Sequence, residues 1–183
     1  MKKITTCLII IIILYIILFK IINVENIVLK NYYPIEYEEY IYKYSAEYEV
    51  DPLLILAIIK TESNFNPKSI STSGAVGLMQ LMDSTAKELA EKTQMDYMVT
   101  DLYNPEINIK LGTMYFAELN KCYDNTYLAI AAYNAGIGNV NKWIENKKIE
   151  ADGSNIESIP FKETNNYVRK VIRNYKIYKK LYE

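Results

Sequence analysis

The 183-residue chain has no histidine and only two cysteines. The first absence removes the commonest general base and a common metal ligand, which leaves carboxylates as the natural proton carriers. The second excludes a disulfide framework, since Cys7 lies in an apolar N-terminal run and Cys122 far along the chain. A Cys/His zinc site is excluded by count as well, so neither a metal nor a cofactor is expected. Cys122 reads as a buried or partly buried small hydrophobe. A basic surplus is also missing: beyond residue 24 there are 18 basic and 22 acidic residues, a net charge of −4. Nucleic acid is therefore not an expected partner.

There is one long hydrophobic run. Residues 4–24 are almost continuously apolar and follow Lys2 and Lys3, close to the roughly 20 residues that cross a bilayer. A cleaved signal peptide is the competing reading, but its apolar core is shorter and ends in a small-residue cleavage site, and none is found here. A lipid on Cys7 lacks the expected small residues before it and has the apolar run on the wrong side. The expected organisation is a cytoplasmic stub at 1–3, a transmembrane signal anchor at 4–24, a linker at 25–35 and one domain at 36–183. Lys2 and Lys3 favour a cytoplasmic N-terminus, a bias that Lys20 and Lys30 dilute. The protein is thus expected at the cell membrane, single-pass, with its domain outside the cytoplasm.

Half of the residues are hydrophobic, enough for a buried core. Tyr37, Tyr40, Ile41, Tyr44 and Tyr48 share one face of a helix. Asp51-Pro52 forms a strong helix start, and residues 53–59 are apolar on every side, which marks a central helix. Pro67 forces it to stop by Asn66 and sets Glu62 on its last turn. Further helices are expected from Asp83 or Ser84 as cap, from Asn104-Pro105 with Ile107, Leu111, Met114, Tyr115 and Leu119 inward, and from Thr126 to Asn134 with Gly136 closing it. Residues 147–160 read as a surface loop. A closing helix from Glu163 buries Tyr167, Val168, Val171, Ile172, Tyr175 and Tyr178. Only a short stretch at 75–81 has strand character, so the fold class is mainly α with at most a very small β element.

Glu62 is the residue around which chemistry gathers. The negative end of the helix dipole and an apolar neighbourhood both favour its neutral form, which can donate a proton to a leaving oxygen, as in glycosidic cleavage. Position alone favours an exposed helix-end glutamate over a catalytic one. The glycine-containing segment Gly74-Ala75-Val76-Gly77-Leu78-Met79-Gln80 follows; its small residues permit close approach of a ligand, and Gln80 carries both donor and acceptor. Taken singly it is as readily a structural turn. Tyr133, in Ala131-Ala132-Tyr133-Asn134-Ala135-Gly136, adds a ring face and a hydroxyl, though most of 18 tyrosines belong to the core.

Together, Glu62-Ser63, Phe65 and Pro67, then Ser71, Gly74-Ala75, Gly77 through Met82, Thr85-Ala86, Ala132 through Gly136, and Ile159-Pro160-Phe161 with Glu163-Thr164 resemble the soluble lytic transglycosylase domain. Their order and spacing agree over about residues 36–183. The resemblance implies a lysozyme-like helical fold and cleavage of the β-1,4 bond between N-acetylmuramic acid (MurNAc) and N-acetylglucosamine (GlcNAc) in the glycan strands of peptidoglycan. It implies that Glu62 acts first as acid and then as base towards the muramoyl C6 hydroxyl, giving a 1,6-anhydro product. Ser71, Gln80, Met82, Tyr133, Asn134 and Glu163 carry over as substrate-binding residues, with Tyr133 also a candidate to orient Glu62 or to stabilise developing charge.

Two positions depart from the family pattern: Asp83 stands where proline is usual, and Asn165 where arginine is usual beside Glu163. The first changes a helix start, and the second removes a cation. A hydrolytic muramidase resembling goose-type lysozymes is the alternative enzyme, and a non-catalytic wall-binding assembly component the alternative of another class. Paired-carboxylate glycosidases need a second acid; Asp83 and Glu88 are the nearest in sequence and match no family nucleophile.

Overall fold

The computed structural model describes residues 2–22 and 24–183, with side chains described for 5–19 and 26–183. Among the described residues there is no strand; the chain runs through α1 (Lys2–Ile22), α2 (Val24–Tyr32), α3 (Glu38–Tyr48), α4 (Pro52–Glu62), α5 (Asp83–Lys92), α6 (Pro105–Tyr123), α7 (Thr126–Ala135), α8 (Ile137–Glu145) and α9 (Lys162–Tyr182). Short 3-10 turns lie at Val99–Tyr103 and Ile156–Ser158. The β element shrinks to two isolated antiparallel bridges, Ile70 with Val76 and Val76 with Leu81.

α4 is the axle of the domain. Asp51 Oδ1 accepts from Leu53 N at 2.8 Å and Pro52 opens the helix, and every side chain from Leu53 to Ile59 is buried. α9 lies along it, and α3, α6 and α7 complete the main core with Ile41, Phe116, Leu128, Ile130, Val168 and Tyr178. A smaller core gathers Val76, Leu81, Ala86, Leu89, Leu102 and Leu111 beneath α5 and the preceding loop. Asn104 Oδ1 caps α6 by accepting from Glu106 N at 2.9 Å, and Gly136, at φ 83°, closes α7.

Several expectations need correction. α5 is capped neither by Asp83 nor by Ser84: Asp83 is its first residue, and its carboxylate accepts from Tyr97 Oη at 2.8 Å. It sits where a proline is tolerated and where an acid suits the dipole. Cys122 is exposed, on the last turn of α6 beyond the buried Leu119. Most of the segment expected as a linker at 25–35 is helical, within α2, whose nine residues rise about 13 Å, well inside the roughly 35 Å that the linker would span if fully extended. α2 meets the far end of α9: the Tyr182 hydroxyl donates to Tyr33 O at 2.7 Å, and the Lys30 ammonium lies 4.9 Å from the Tyr182 ring centre. α8 was not expected; it starts immediately after Gly136 and buries Val140 and Trp143.

α1 is helical with exposed apolar side chains from Leu8 to Phe19. Among the described residues no helix is long and apolar enough to cross a membrane. The anchor expected over 4–24 extends onto Ile4 and onto 20–24, whose side chains lie outside the described residues.

Candidate active site

Glu62 ends α4, and two successive left-handed residues, Asn64 at φ 51° and Phe65 at φ 65°, turn the chain sharply after it. Phe65 is buried, which holds the turn down. Ser63 Oγ donates to Leu78 O at 2.8 Å and so ties the end of α4 to the glycine-containing segment.

That segment is fastened by Asn108, a fully buried side chain on α6. Its Oδ1 accepts from Met79 N at 2.8 Å, and its Nδ2 donates to Val76 O at 3.0 Å and Leu102 O at 2.9 Å. Gly77 is required at this crossing: its φ is +84°, and a Cβ would lie 2.2 Å from Asn108 Nδ2 and 2.3 Å from Leu102 O. Gln80 then adopts φ 51°, and its Nε2 donates to Ser69 O and Gly77 O at 3.1 and 2.9 Å. Both amide hydrogens are thereby committed, which leaves Oε1 to accept from a ligand.

The result is a groove of about 260 Å³ lined by Glu62, Ser71, Gln80, Met82, Tyr133, Asn134 and Glu163, together with Thr72, Ser73 and Ala75. All seven residues proposed from the sequence thus meet around one cavity. A second hollow of about 220 Å³ shares Gln80, Met82, Tyr133 and Asn134 and adds Thr85, Tyr115 and Gly136, so the site is elongated. Ser71 Oγ accepts from Ala75 N at 2.9 Å. Asp83 and Glu88 do not line the groove; Glu163, exposed at the start of α9, is the carboxylate that shares it with Glu62.

Burial pushes the Glu62 carboxyl up to about 7, against the opposing pull of a hydrogen bond from Tyr167 and the charge of Lys170. The Tyr167 hydroxyl donates to Glu62 Oε1 at 2.6 Å. Burial, with the Glu62 charge adding, drives the Tyr167 phenol well above its usual value, so it stays a neutral donor. Of the two roles for which Tyr133 is a candidate, orienting Glu62 falls instead to Tyr167, because the Tyr133 hydroxyl donates to Met79 O at 2.8 Å and so braces the opposite wall; stabilising developing charge stays open to it. The apolar stripe of α9 predicts Tyr167 as core. The available signal was its spacing from Glu163, four residues along the same helix and hence on the same face.

Asn165, in the place of the usual arginine, does not face Glu163 as a charge. Its Nδ2 donates to Glu157 O at 2.6 Å and its Oδ1 accepts from Arg169 Nε at 2.8 Å, so it fastens the start of α9 to the preceding turn.

A helical frame with a buried acid, its carboxyl raised to about 7, on the wall of a long polar groove defines a lysozyme-like domain. The transglycosylase SLT domain profile matches residues 39–156. A putative soluble lytic murein transglycosylase of Haemophilus influenzae is 41% identical over 143 residues, 76% of this chain and 24% of that protein. The soluble lytic murein transglycosylase of Salmonella typhimurium is 36% identical over 148 residues, 79% of this chain and 23% of its own. Among solved structures, an inactive glutamate-to-glutamine mutant of the lytic transglycosylase Slt from Pseudomonas aeruginosa superposes with TM-score 0.75 at 33% identity, covering 83% of this chain and 25% of that one. A 70-kDa soluble lytic transglycosylase in complex with bulgecin A gives TM-score 0.77 at 34% identity over the same shares. The chain belongs to the transglycosylase SLT domain family, and spans about a quarter of the length of the curated relatives it matches.

Proposed function

We propose that this protein is a membrane-anchored peptidoglycan lytic transglycosylase that cleaves the MurNAc-β-1,4-GlcNAc bond without water and leaves 1,6-anhydroMurNAc ends. The observation that carries the reading is Glu62: a buried acid in the groove, raised by burial to about 7, with Tyr167 holding Oε1. Near neutral pH such a group is available in both protonation states, as a residue that is acid and then base must be.

The protonated carboxyl donates to the glycosidic oxygen as the C1–O bond breaks. The resulting carboxylate, stabilised by the Tyr167 hydroxyl, takes the proton of the muramoyl C6 hydroxyl as its oxygen bonds to C1. Glu62 is protonated again and the cycle is closed. Gln80 Oε1, Ser71 and Asn134 contact sugar hydroxyl and amide groups, and Met82 and Tyr133 offer apolar surface to the sugar rings. The names of the relatives, lytic murein transglycosylases, support the substrate class, and an inactive glutamate-to-glutamine mutant in a relative agrees with an essential acid.

Glu163 favours a second reading, since a further carboxylate in the same groove could activate water and make the enzyme a muramidase. Mass spectrometry of digested peptidoglycan separates the two. Anhydro ends, lighter by one water, are expected; reducing ends would sink the transglycosylase reading. The anchor reading draws on α1, a helix with exposed apolar side chains from Leu8 to Phe19, and on that reading the groove lies outside the cytoplasm. The full-length chain is expected in membrane extracts; a mature protein beginning after residue 20 would refute anchoring.

A further inference from the structure

Charge is segregated along this chain in a way that its near-zero total conceals. α9 holds seven of the 21 basic residues and one of the 22 acidic ones, a net +6, so the remainder, with 14 basic and 21 acidic residues, carries −7. The single acid, Glu163, belongs to the groove at the first turn. Arg169, Arg173, Lys176 and Lys180 follow at steps of four, three and four, which keeps them on one exposed face. They line a shallow trough of about 490 Å³ together with the half-buried Ile172 and Ile177. Beside it, a hollow of about 290 Å³ is lined by Asn166, Lys170, Arg169 and Arg173. Arg169, Arg173 and Lys176 form no ion pair among the described residues. A helix of a net acidic domain that concentrates cations over an apolar floor is matched to a surface that is anionic in its headgroups and apolar beneath them.

We propose that this face of α9 docks the domain onto an anionic phospholipid surface. The inference rests on the membrane-anchored reading for its orientation. The far end of α9 is held to α2 through Tyr182 and Tyr33, and α2 directly follows the apolar α1 in sequence. The root of the anchor and the basic face are thus joined to one helix. An apolar segment and a basic patch together hold a protein at a membrane more firmly than either does alone, and the patch governs which way the domain lies.

The test reconstitutes the full-length chain in vesicles of phosphatidylcholine alone and of phosphatidylcholine with about 30% phosphatidylglycerol. Lysines are acetylated briefly and mapped by mass spectrometry, with Lys121 and Lys142, both exposed on other helices, as references. Lys176 is expected to react about threefold or more slowly on the anionic vesicles, the references equally on both, and the difference to vanish at high salt. An Arg169→Gln/Arg173→Gln chain with unchanged melting temperature is expected to lose the protection of Lys176. Equal reaction of Lys176 on both vesicles would overturn the proposal. So would protection by soluble poly(glycerol phosphate) but not by anionic vesicles, which assigns the face to a polymer. Flotation with the neutral vesicles reports on the anchor separately: a chain that fails to float there refutes the anchor, while Lys176 on anionic vesicles still decides the face.

Discussion

The two walls of the groove are made in opposite ways. One is regular helix, α4 and α9, whose side chains are set by the large apolar core, and it carries Glu62 and Tyr167. The other is a loop, residues 69–82, over a small core of six residues, and it carries Ser71, Gln80 and Met82. The helical wall obtains its geometry from burial; the loop wall obtains its geometry from hydrogen bonds to three side chains, Ser63, Asn108 and Tyr133. Tyr115 and Tyr133 pack against both cores and hold the two walls in register. On the proposed reading, the chemistry falls on the helical side and recognition on the side whose shape is easier to vary.

Glu62→Gln tests the helical wall most severely. Loss of the transferable proton is expected to lower kcat by about 10³-fold or more in a muropeptide-release assay. The same change should stabilise the fold at alkaline pH. Burial lifts the folded carboxyl from 4.5 to about 7, so between those values the folded state keeps a proton that the unfolded chain has lost. Stability of the parent therefore falls as pH rises through this window, and the penalty is complete above 7. Glutamine carries no such penalty, and the variant is expected to exceed the parent by on the order of 3 kcal/mol at pH 8 and to lose that advantage near pH 4. Melting curves across pH check this, and a constant difference would contradict the raised carboxyl.

Asn108→Ala strikes the loop wall. It deprives Met79 N, Val76 O and Leu102 O of a buried partner, and a loss of about 3 kcal/mol is expected in urea unfolding. If the loop instead held its shape from its own turns, the loss would stay under about 1 kcal/mol.

Tyr167→Phe separates positioning from folding. Removing the hydroxyl takes away a bond that lowers the Glu62 carboxyl, so the alkaline limb of the pH–rate profile should move above 7 while kcat falls about 10- to 100-fold. An unmoved limb would deny the coupling.

Tyr133→Phe should have the smallest effect. It frees only Met79 O, for about 1 kcal/mol in stability and less than about tenfold in rate. A fall as deep as that of Tyr167→Phe would return the orienting role to Tyr133.

The same contrast explains what the sequence made legible. α4 announces itself through Asp51-Pro52 and seven apolar residues, and the closing helix through a tyrosine and valine stripe, because both are driven by periodic burial. The groove residues are legible only through their resemblance to a family, since the loop that carries Gln80 and Ser71 owes its shape to positive φ at Gly74, Gly77 and Gln80 and to partners as far as Tyr133, 54 residues from Met79. Tyr167 shows the limit well: a tyrosine on an apolar stripe reads as core, and only the crossing of α4 and α9 shows that its hydroxyl ends on an acid 105 residues earlier. α8 is hidden because it begins at the residue after a helix-ending glycine, and α2 because a short polar-apolar mixture owes its place to Tyr182.

α9 starts with Glu163 in the groove and finishes with Tyr182 against α2, so this one helix is a gauge. Its 21 residues measure about 32 Å, and that length sets the separation of the groove from the N-terminal end of the domain. Such a gauge is graduated in steps: one inserted residue turns every later side chain by about 100°, whereas seven preserve the facing and lengthen the rod by about 10 Å. The reach of the groove is consequently free to change during evolution in heptad-sized increments and resists change in between.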